Sequence, residues 1–139
     1  MSWSRSRLCL GAMVVLSIAS TPPAIAQTSA RDEAMRGIAA RSVGMPERTF
    51  EVTSGGTVIT VLRVNSTMNA SSHQGRNNEA TEIANAISGE FNRKAARYGD
   101  IQSISVDYVE RSATQTKDIL IDRIDFRKNA AGNFELHIT

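Results

Sequence analysis

Residues 77–99 read NNEATEIANAISGEFNRKAARYG, and this stretch decides the fold class. Its apolar side chains recur at steps of three and four residues, which places them on one face of an α-helix. They are Ala80, Ile83, Ala84, Ile87, Phe91, Ala95 and Tyr98. Such a stripe is about 30 Å long at 1.5 Å per residue, so the helix needs a β-sheet to cover it.

Both ends of this helix carry the usual signals. Asn77 or Asn78 can cap the N-terminus, basic residues occupy the last turns, and Gly99 can end the helix in a left-handed conformation. Gly89 interrupts the middle at a cost of up to about 1 kcal/mol relative to alanine. We therefore expect the sheet to approach closely at Gly89.

Five other stretches have the composition of β-strands, and the predicted strands are 49–52, 58–64, 103–108, 118–127 and 134–138. The first two flank a Ser-Gly-Gly-Thr turn and predict a hairpin. Polar residues at 103, 105 and 107 predict one solvated face in the third strand. In the fourth strand the apolar residues change parity, so a bulge is expected near Asp122.

A short helix over 29–43 precedes the strands, and the polar residues 67–77 predict a loop. The element order is therefore α-β-β-α-β-β-β. The simplest packing is an α+β fold, with an antiparallel sheet of about five strands, one long helix packed on one face and a short N-terminal helix.

Residues 1–26 have the three parts of a secretory signal peptide. Arg5 and Arg7 precede an apolar stretch from residue 8 to 19, which is too short to span a bilayer. Small residues at Ala24 and Ala26 predict cleavage before Gln27. The sequence thus predicts a signal peptide, 1–26, and one small domain, 27–139, that is exported to the periplasm or the extracellular space.

Removal of this signal changes the charge and the cysteine content. The whole chain has 16 Lys plus Arg and 14 Asp plus Glu, and loss of Arg5 and Arg7 leaves 14 of each. A neutral domain without a basic stripe is not expected to bind nucleic acid. Cys9 is the only cysteine and is removed as well, so the mature domain has no disulfide. No stable membrane insertion is expected after cleavage.

One ligand site is predicted at the N-terminus of the long helix. Ser72, His73, Arg76 and Asn77 bring a cation, an imidazole and polar side chains to free backbone N–H groups, which attract anions. The alternative is a solvated connector in which an asparagine only caps the helix.

Other chemistry has little support in the sequence. His73 and His137 are the only histidines and are not at a metal-ligand spacing, so no metal and no cofactor is expected. Asp107 and Asp125 could face each other as an acid and a base, although a solvated polar surface explains them as well. No catalytic set can be identified, and a non-enzymatic protein is favoured.

Two functions are consistent with these features. The first is a protein-interaction module that recognises another envelope protein through a sheet edge or the polar sheet face, with the strand 134–138 able to accept or donate pairing. The second is a small-ligand binder or hydrolase with a pocket between the long helix and the sheet. Self-association is left open by the sequence.

Overall fold

A computed structural model describes residues 23–138. The predicted signal peptide falls largely in residues 1–22, outside the described residues, and its cleavage stays a prediction. The elements are α1 Pro23–Ser42, β1 Phe50–Gly55, β2 Val58–Val64, α2 His73–Arg93, the short α3 Ala95–Tyr98, β3 Ser103–Glu110, β4 Ile119–Lys128 and β5 Phe134–His137. The α+β class, the five strands and the element order are confirmed.

The sheet is mixed, which corrects the antiparallel prediction. Its strands lie in the order β1-β2-β3-β4-β5, and β2 pairs with β3 in parallel while the other neighbours are antiparallel. The physical reason is α2, which connects β2 to β3. A helix of 21 residues is about 30 Å long and returns the chain to the end of the sheet where β2 began, so β3 runs in the direction of β2.

The helix α1 has 20 residues and is almost as long as α2, so the short helix predicted over 29–43 is wrong in length. Pro23 is its first residue, a position that proline tolerates because its missing N–H is not needed there. Met35, Ala39 and Ala40 are buried in the core. Met35 is among the largest fully buried side chains of the described residues, whereas Ala39 and Ala40 add little apolar bulk.

The long helix begins four residues before Asn77. Ser72 caps it by accepting a hydrogen bond from the Gly75 N–H at 3.1 Å. The predicted loop 67–77 is wrong, because it contains a 3-10 helix, Thr67–Ala70, and the first turn of α2. The prediction that Gly99 ends the long helix in a left-handed conformation is wrong, because α2 ends at Arg93 and Gly99 follows the short α3 with a φ of +81° and a ψ of −171°, outside the left-handed helical region.

The close approach expected at Gly89 is wrong. Gly89 is exposed, and a Cβ atom placed there would meet no atom within 4 Å. The buried face of α2 passes through Ile83, Ile87 and Phe91 instead. Gly89 therefore lies on the solvent side of the helix.

The helix-covered face of the sheet carries the core. The buried sheet residues on this face include Phe50, Ile59, Val61, Ile104, Val106, Tyr108, Ile124 and Phe126. The opposite face, which we call the open face, carries alternating residues of the same strands. The fully solvated face predicted for β3 is wrong, because Ser105 and Asp107 are 8% and 6% exposed. Arg123 of β4 binds Asp107 with two hydrogen bonds of 2.7 and 2.6 Å.

Candidate functional site

The N-terminal end of α2 lies over a buried charge network. Arg63 of β2 is 1% exposed, and its guanidinium donates to Glu79 of α2 at 2.8 Å. It also lies 4.3 Å from the centre of the Phe50 ring. Tyr108 is within hydrogen-bond distance of Glu79 at 3.1 Å, and burial together with that carboxylate raises the pKa of the phenol.

A second cluster lies at the first turn of α2, and it contains two of the predicted site residues. Asp122 of β4 accepts a hydrogen bond from Arg76 Nε at 2.7 Å, and His73 Nδ1 lies 2.7 Å from the same oxygen. Arg76 also donates to the carbonyl oxygen of Ser71 at 2.6 Å. We call His73, Arg76 and Asp122 the Asp122 cluster.

The electrostatics of this cluster keep the carboxylate ionised. Burial alone would raise the pKa of Asp122, but the hydrogen bonds from Arg76 and His73 outweigh it and hold the pKa below its usual value of 3.8. Arg76 and His73, which were predicted to bind an anion, therefore bind the carboxylate of Asp122 from the chain itself. Whether Ser72, His73, Arg76 and Asn77 also bind a ligand stays a prediction.

Asn77 completes the neighbourhood of His73. Its Nδ2 lies 3.4 Å from His73 Nε2, and its Oδ1 is buried without a hydrogen-bond partner in the described part of the chain. Buried polar atoms usually have a partner. Asn77 is thus the one predicted site residue with an unused buried acceptor.

A cavity of about 230 Å³ opens beside this turn, between α2 and the end of β5. We call it the notch. It is lined by residues of α2, of β4 and of the C-terminal end of β5. They are His73 and Asn77, then Arg123, Ile124 and Asp125, and then Leu136, His137 and Ile138. Both histidines of the sequence therefore lie at one place, although 64 positions separate them along the chain. Ligand pockets commonly have volumes of about 300–1,000 Å³, so the notch suits only a few atoms.

The notch marks the point where β5 stops pairing with β4. β4 has ten residues, but β5 pairs only with Asp125, Phe126, Arg127 and Lys128. Among the described residues, no strand lies beside the outer edge of residues 119–124. We call this segment the free edge of β4.

The free edge begins with three exposed apolar residues. Ile119, Leu120 and Ile121 are 47%, 49% and 37% exposed. Seven large apolar side chains are exposed among the described residues. Five of them lie on this side of the sheet, and they are Ile119, Leu120 and Ile121 of β4, Leu136 of β5, and Ile138 directly after β5. The apolar exposure is therefore concentrated at this side of the sheet, whereas edge strands are usually protected by charges or short length.

The bulge predicted near Asp122 is confirmed. Tyr108 pairs with Asp122 and Val109 pairs with Leu120, so Ile121 is the extra residue. Beyond this bulge, Leu120 points to the open face, where it stands in one cross-strand row with Val109 and Val64. The parity change of the apolar residues in β4 predicts the bulge. It does not show that the outer edge of β4 is unpaired.

Three further observations concern metal binding, the predicted pair of carboxylates and membrane-spanning helices. No group of three or more His, Cys, Asp or Glu side chains is arranged to hold a metal ion within residues 23–138. Asp107 does not face Asp125 across the strands, since its partner is Arg123 and Asp125 pairs with Ser105. None of the described helices combines the length and the hydropathy needed to cross a membrane.

Comparison with known proteins gives no further assignment. The chain matches no protein-family model, no curated protein and no solved structure. The fold and the free edge of β4 therefore carry the functional argument.

Proposed function

We propose that the protein is an exported protein-interaction module that binds an extended segment of an envelope protein along the free edge of β4. The single observation that carries this proposal is the length mismatch between β4 and β5, since no strand among residues 23–138 pairs with the outer edge of residues 119–124. An unpaired edge offers backbone N–H and C=O groups to an incoming strand, and apolar side chains beside it add affinity.

The exposed apolar residues of the free edge also favour the addition of a strand. Ile119, Leu120 and Ile121 would each lose exposed apolar surface when a strand lies beside them, which favours association by roughly 25 cal/mol per Å² before the entropic cost of binding. The run 119–121 carries no charged residue and no proline, whereas Asp122, Arg123 and the bulge at Ile121 are the features of this edge that oppose pairing.

The experiment is a pull-down from envelope extract with the tagged protein and two variants. The double variant Ile119→Lys with Ile121→Lys puts charges on the free edge. The control, Val58→Lys, changes a residue of β2 that is 38% exposed, close to the 37% of Ile121. We expect one stoichiometric partner with the wild type and Val58→Lys, and its loss with the double variant. Equal recovery by all three proteins would contradict the proposal.

A second candidate function rests on the notch. The notch is lined by His73, His137, Asp125 and Asn77, whose side chains include hydrogen-bond donors and acceptors. A small polar ligand is the class that fits, and it would be recognised by hydrogen bonds more than by apolar contact. A thermal-shift series with acetate, phosphate and small amines tests this candidate. A shift that His137→Ala removes supports it, and no shift with any of these ligands contradicts it.

A further inference from the structure

We propose that the protein binds a small organic anion in a cavity between α1 and α3, where two arginines and Tyr98 line a space to which no described residue brings a carboxylate. This inference goes beyond the proposed function, because the cavity is built from α1 and α3 and does not involve β4.

The cavity has the size of a small-molecule site. Its volume is about 480 Å³, and such sites commonly have volumes of about 300–1,000 Å³. We call it the arginine pocket. Its lining residues are Ala30, Arg31 and Ala34 of α1 and Ala96, Arg97 and Tyr98 of α3. Each of the two helices therefore supplies one guanidinium group.

Tyr98 contacts both guanidinium groups. Its backbone carbonyl accepts a hydrogen bond from Arg31 Nη1 at 2.8 Å, and the centre of its ring lies 5.8 Å from Arg97 Cζ. Tyr98 is 8% exposed, and its ring packs against Phe91 with 5.3 Å between the ring centroids. Because the residue that holds both arginines is buried, less side-chain freedom is lost when a ligand binds them.

Arg31 has a hydrogen-bond donor without an acceptor. Its Nε is buried and has no partner in the described part of the chain, since the contact to Tyr98 is made by Nη1. Buried donors normally have a partner. The Nε edge of a guanidinium is one that binds a carboxylate or a phosphate through two parallel hydrogen bonds. The structure therefore leaves the Nε donor of this edge unused.

The positive charge of the arginine pocket is not balanced. Arginines elsewhere in the described chain form salt bridges, and these are Arg36, Arg63, Arg76, Arg93, Arg111 and Arg123. Arg31 and Arg97 form none within residues 23–138. The carboxylates next to Arg31 in the sequence have other partners, because Asp32 accepts a hydrogen bond from Ser54 at 2.6 Å and Glu33 lies 3.5 Å from Arg36. Residues 1–22 contain no Asp or Glu.

The larger cavity beside the arginine pocket lacks this imbalance. It has a volume of about 790 Å³, lies between α1 and α2, and shares Ala30, Ala34 and Tyr98 with the arginine pocket. Its lining has three cationic and three acidic side chains, which are Arg41, Arg93, Lys94, Glu33, Glu47 and Glu90. Unmatched positive charge attracts an anion, so the arginine pocket is the favoured one of the two.

The lining also indicates what the rest of the ligand is. The methyl groups of Ala30, Ala34 and Ala96 and the ring of Tyr98 offer apolar contact, while the two guanidinium groups bind one oxyanion. The ligand class that fits is a small aromatic or aliphatic body that carries one carboxylate or phosphate group. For small probes of this class we expect a dissociation constant of about 0.1–10 mM.

NMR titration of the isotope-labelled protein tests the proposal. The probes are benzoate and phenyl phosphate, with benzamide as the neutral analogue of benzoate. We expect saturable shifts of the Ala96, Arg97 and Tyr98 amides with at least one of the two anions and none with benzamide, because the oxyanion is what the arginines bind. Binding of only one of the anions supports the proposal and assigns the charged group. Inorganic phosphate that binds as tightly as phenyl phosphate would overturn the apolar part of the ligand class.

Two arginine variants and one matched control give the second measurement. Arg31→Gln and Arg97→Gln should each raise the dissociation constant about tenfold or more, because each removes charged donors. Arg97→Gln breaks no hydrogen bond of the described chain and keeps the test independent of folding. Arg48→Gln removes the same charge at an exposed residue outside the pocket and should change the constant less than about twofold. No saturable shift with either anion, or wild-type affinity in Arg97→Gln, would overturn the proposal.

His137→Ala separates the arginine pocket from the notch. His137 lines the notch and does not line the arginine pocket. We expect the titration of this variant to match that of the wild type. Loss of the shifts at Ala96, Arg97 and Tyr98 in His137→Ala would place the anion in the notch and overturn the proposal.

Discussion

Arg63 and Glu79 form an ion pair beneath the N-terminal half of α2, with Arg63 Nε 2.8 Å and Nη2 3.2 Å from the two carboxylate oxygens. Removing one partner of a buried pair leaves a charge without compensation, at a cost of about 3–5 kcal/mol. We therefore predict that Glu79→Ala lowers the free energy of unfolding by about that amount, as measured by urea denaturation.

A matched double variant separates the pair from its packing. Arg63→Met with Glu79→Leu replaces both charges by apolar side chains of similar length, which is often much less damaging than removing one charge. We expect it to recover most of the stability lost in Glu79→Ala. A double variant that is as unstable as Glu79→Ala would show that the other contacts of Arg63, to Thr49 and Ser66, matter more than the pair.

Gly89 offers a stabilising substitution. It lies in the middle of α2, is exposed, and leaves open space where a Cβ atom would stand. Gly89→Ala should raise the free energy of unfolding by about 0.5–1 kcal/mol through helix propensity. Gly99→Ala is the control and should destabilise the protein, because its φ of +81° disfavours an L side chain. A stability loss in Gly89→Ala would contradict the exposed position.

The start of α2 can be tested by its cap. Ser72→Ala should lower stability by about 1 kcal/mol because it removes the hydrogen bond to the Gly75 N–H. Asn78→Ala, at an exposed position inside the helix, should change stability by less than about 0.5 kcal/mol. The reverse order of effects in thermal unfolding would favour a helix that begins after Asn77.

The Asp122 cluster predicts a dependence of stability on acid. The pKa of Asp122 is held below 3.8 in the folded protein, so the unfolded chain binds the proton first as the pH falls. The stabilisation is complete above 3.8 and is lost as the pH falls below it. In Asp122→Asn this part of the acid dependence should disappear in urea midpoints measured from neutral pH downwards.

Arg111 provides the comparison for this pH series. It hydrogen-bonds to Asp118 and Glu51 and lowers the pKa of both carboxyls, but these groups are exposed. Exposed pairs are screened by solvent and contribute little. Arg111→Ala should therefore leave most of the acid dependence intact, and an acid profile that flattens in Arg111→Ala but not in Asp122→Asn would contradict our assignment.

Much of the fold follows from local sequence patterns. The stripe from Ala80 to Phe91 identifies α2 because the 3.6-residue period needs no long-range information, whereas Ala95 and Tyr98, predicted to continue it, lie on the separate α3. The parity change around Ile121 identifies the bulge for a similar reason. The direction of β3 relative to β2 could not be predicted so directly, because it depends on where α2 returns the chain.

The candidate site illustrates the same limit. Ser72, His73 and Arg76 were identified as polar groups at a helix start, but Asp122, the carboxylate that binds two of them, lies 46 residues beyond Arg76. The free edge depends on the length of β5. Ile119 and Leu120 are exposed because no strand among the described residues lies beside them. Such relations are set by tertiary pairing, which single-sequence periodicity does not contain.

Hydrogen exchange of the β4 backbone tests the central claim most directly. Mass spectrometry on peptides covering residues 119–124 would compare dilute protein with concentrated protein and with protein bound to any envelope protein that the pull-down recovers. Our account predicts slower exchange of these amides in at least one associated state, while the peptide around Val58 stays unchanged. Unchanged exchange along 119–124 in every associated state would contradict the assignment of the free edge of β4 as the protein-binding site.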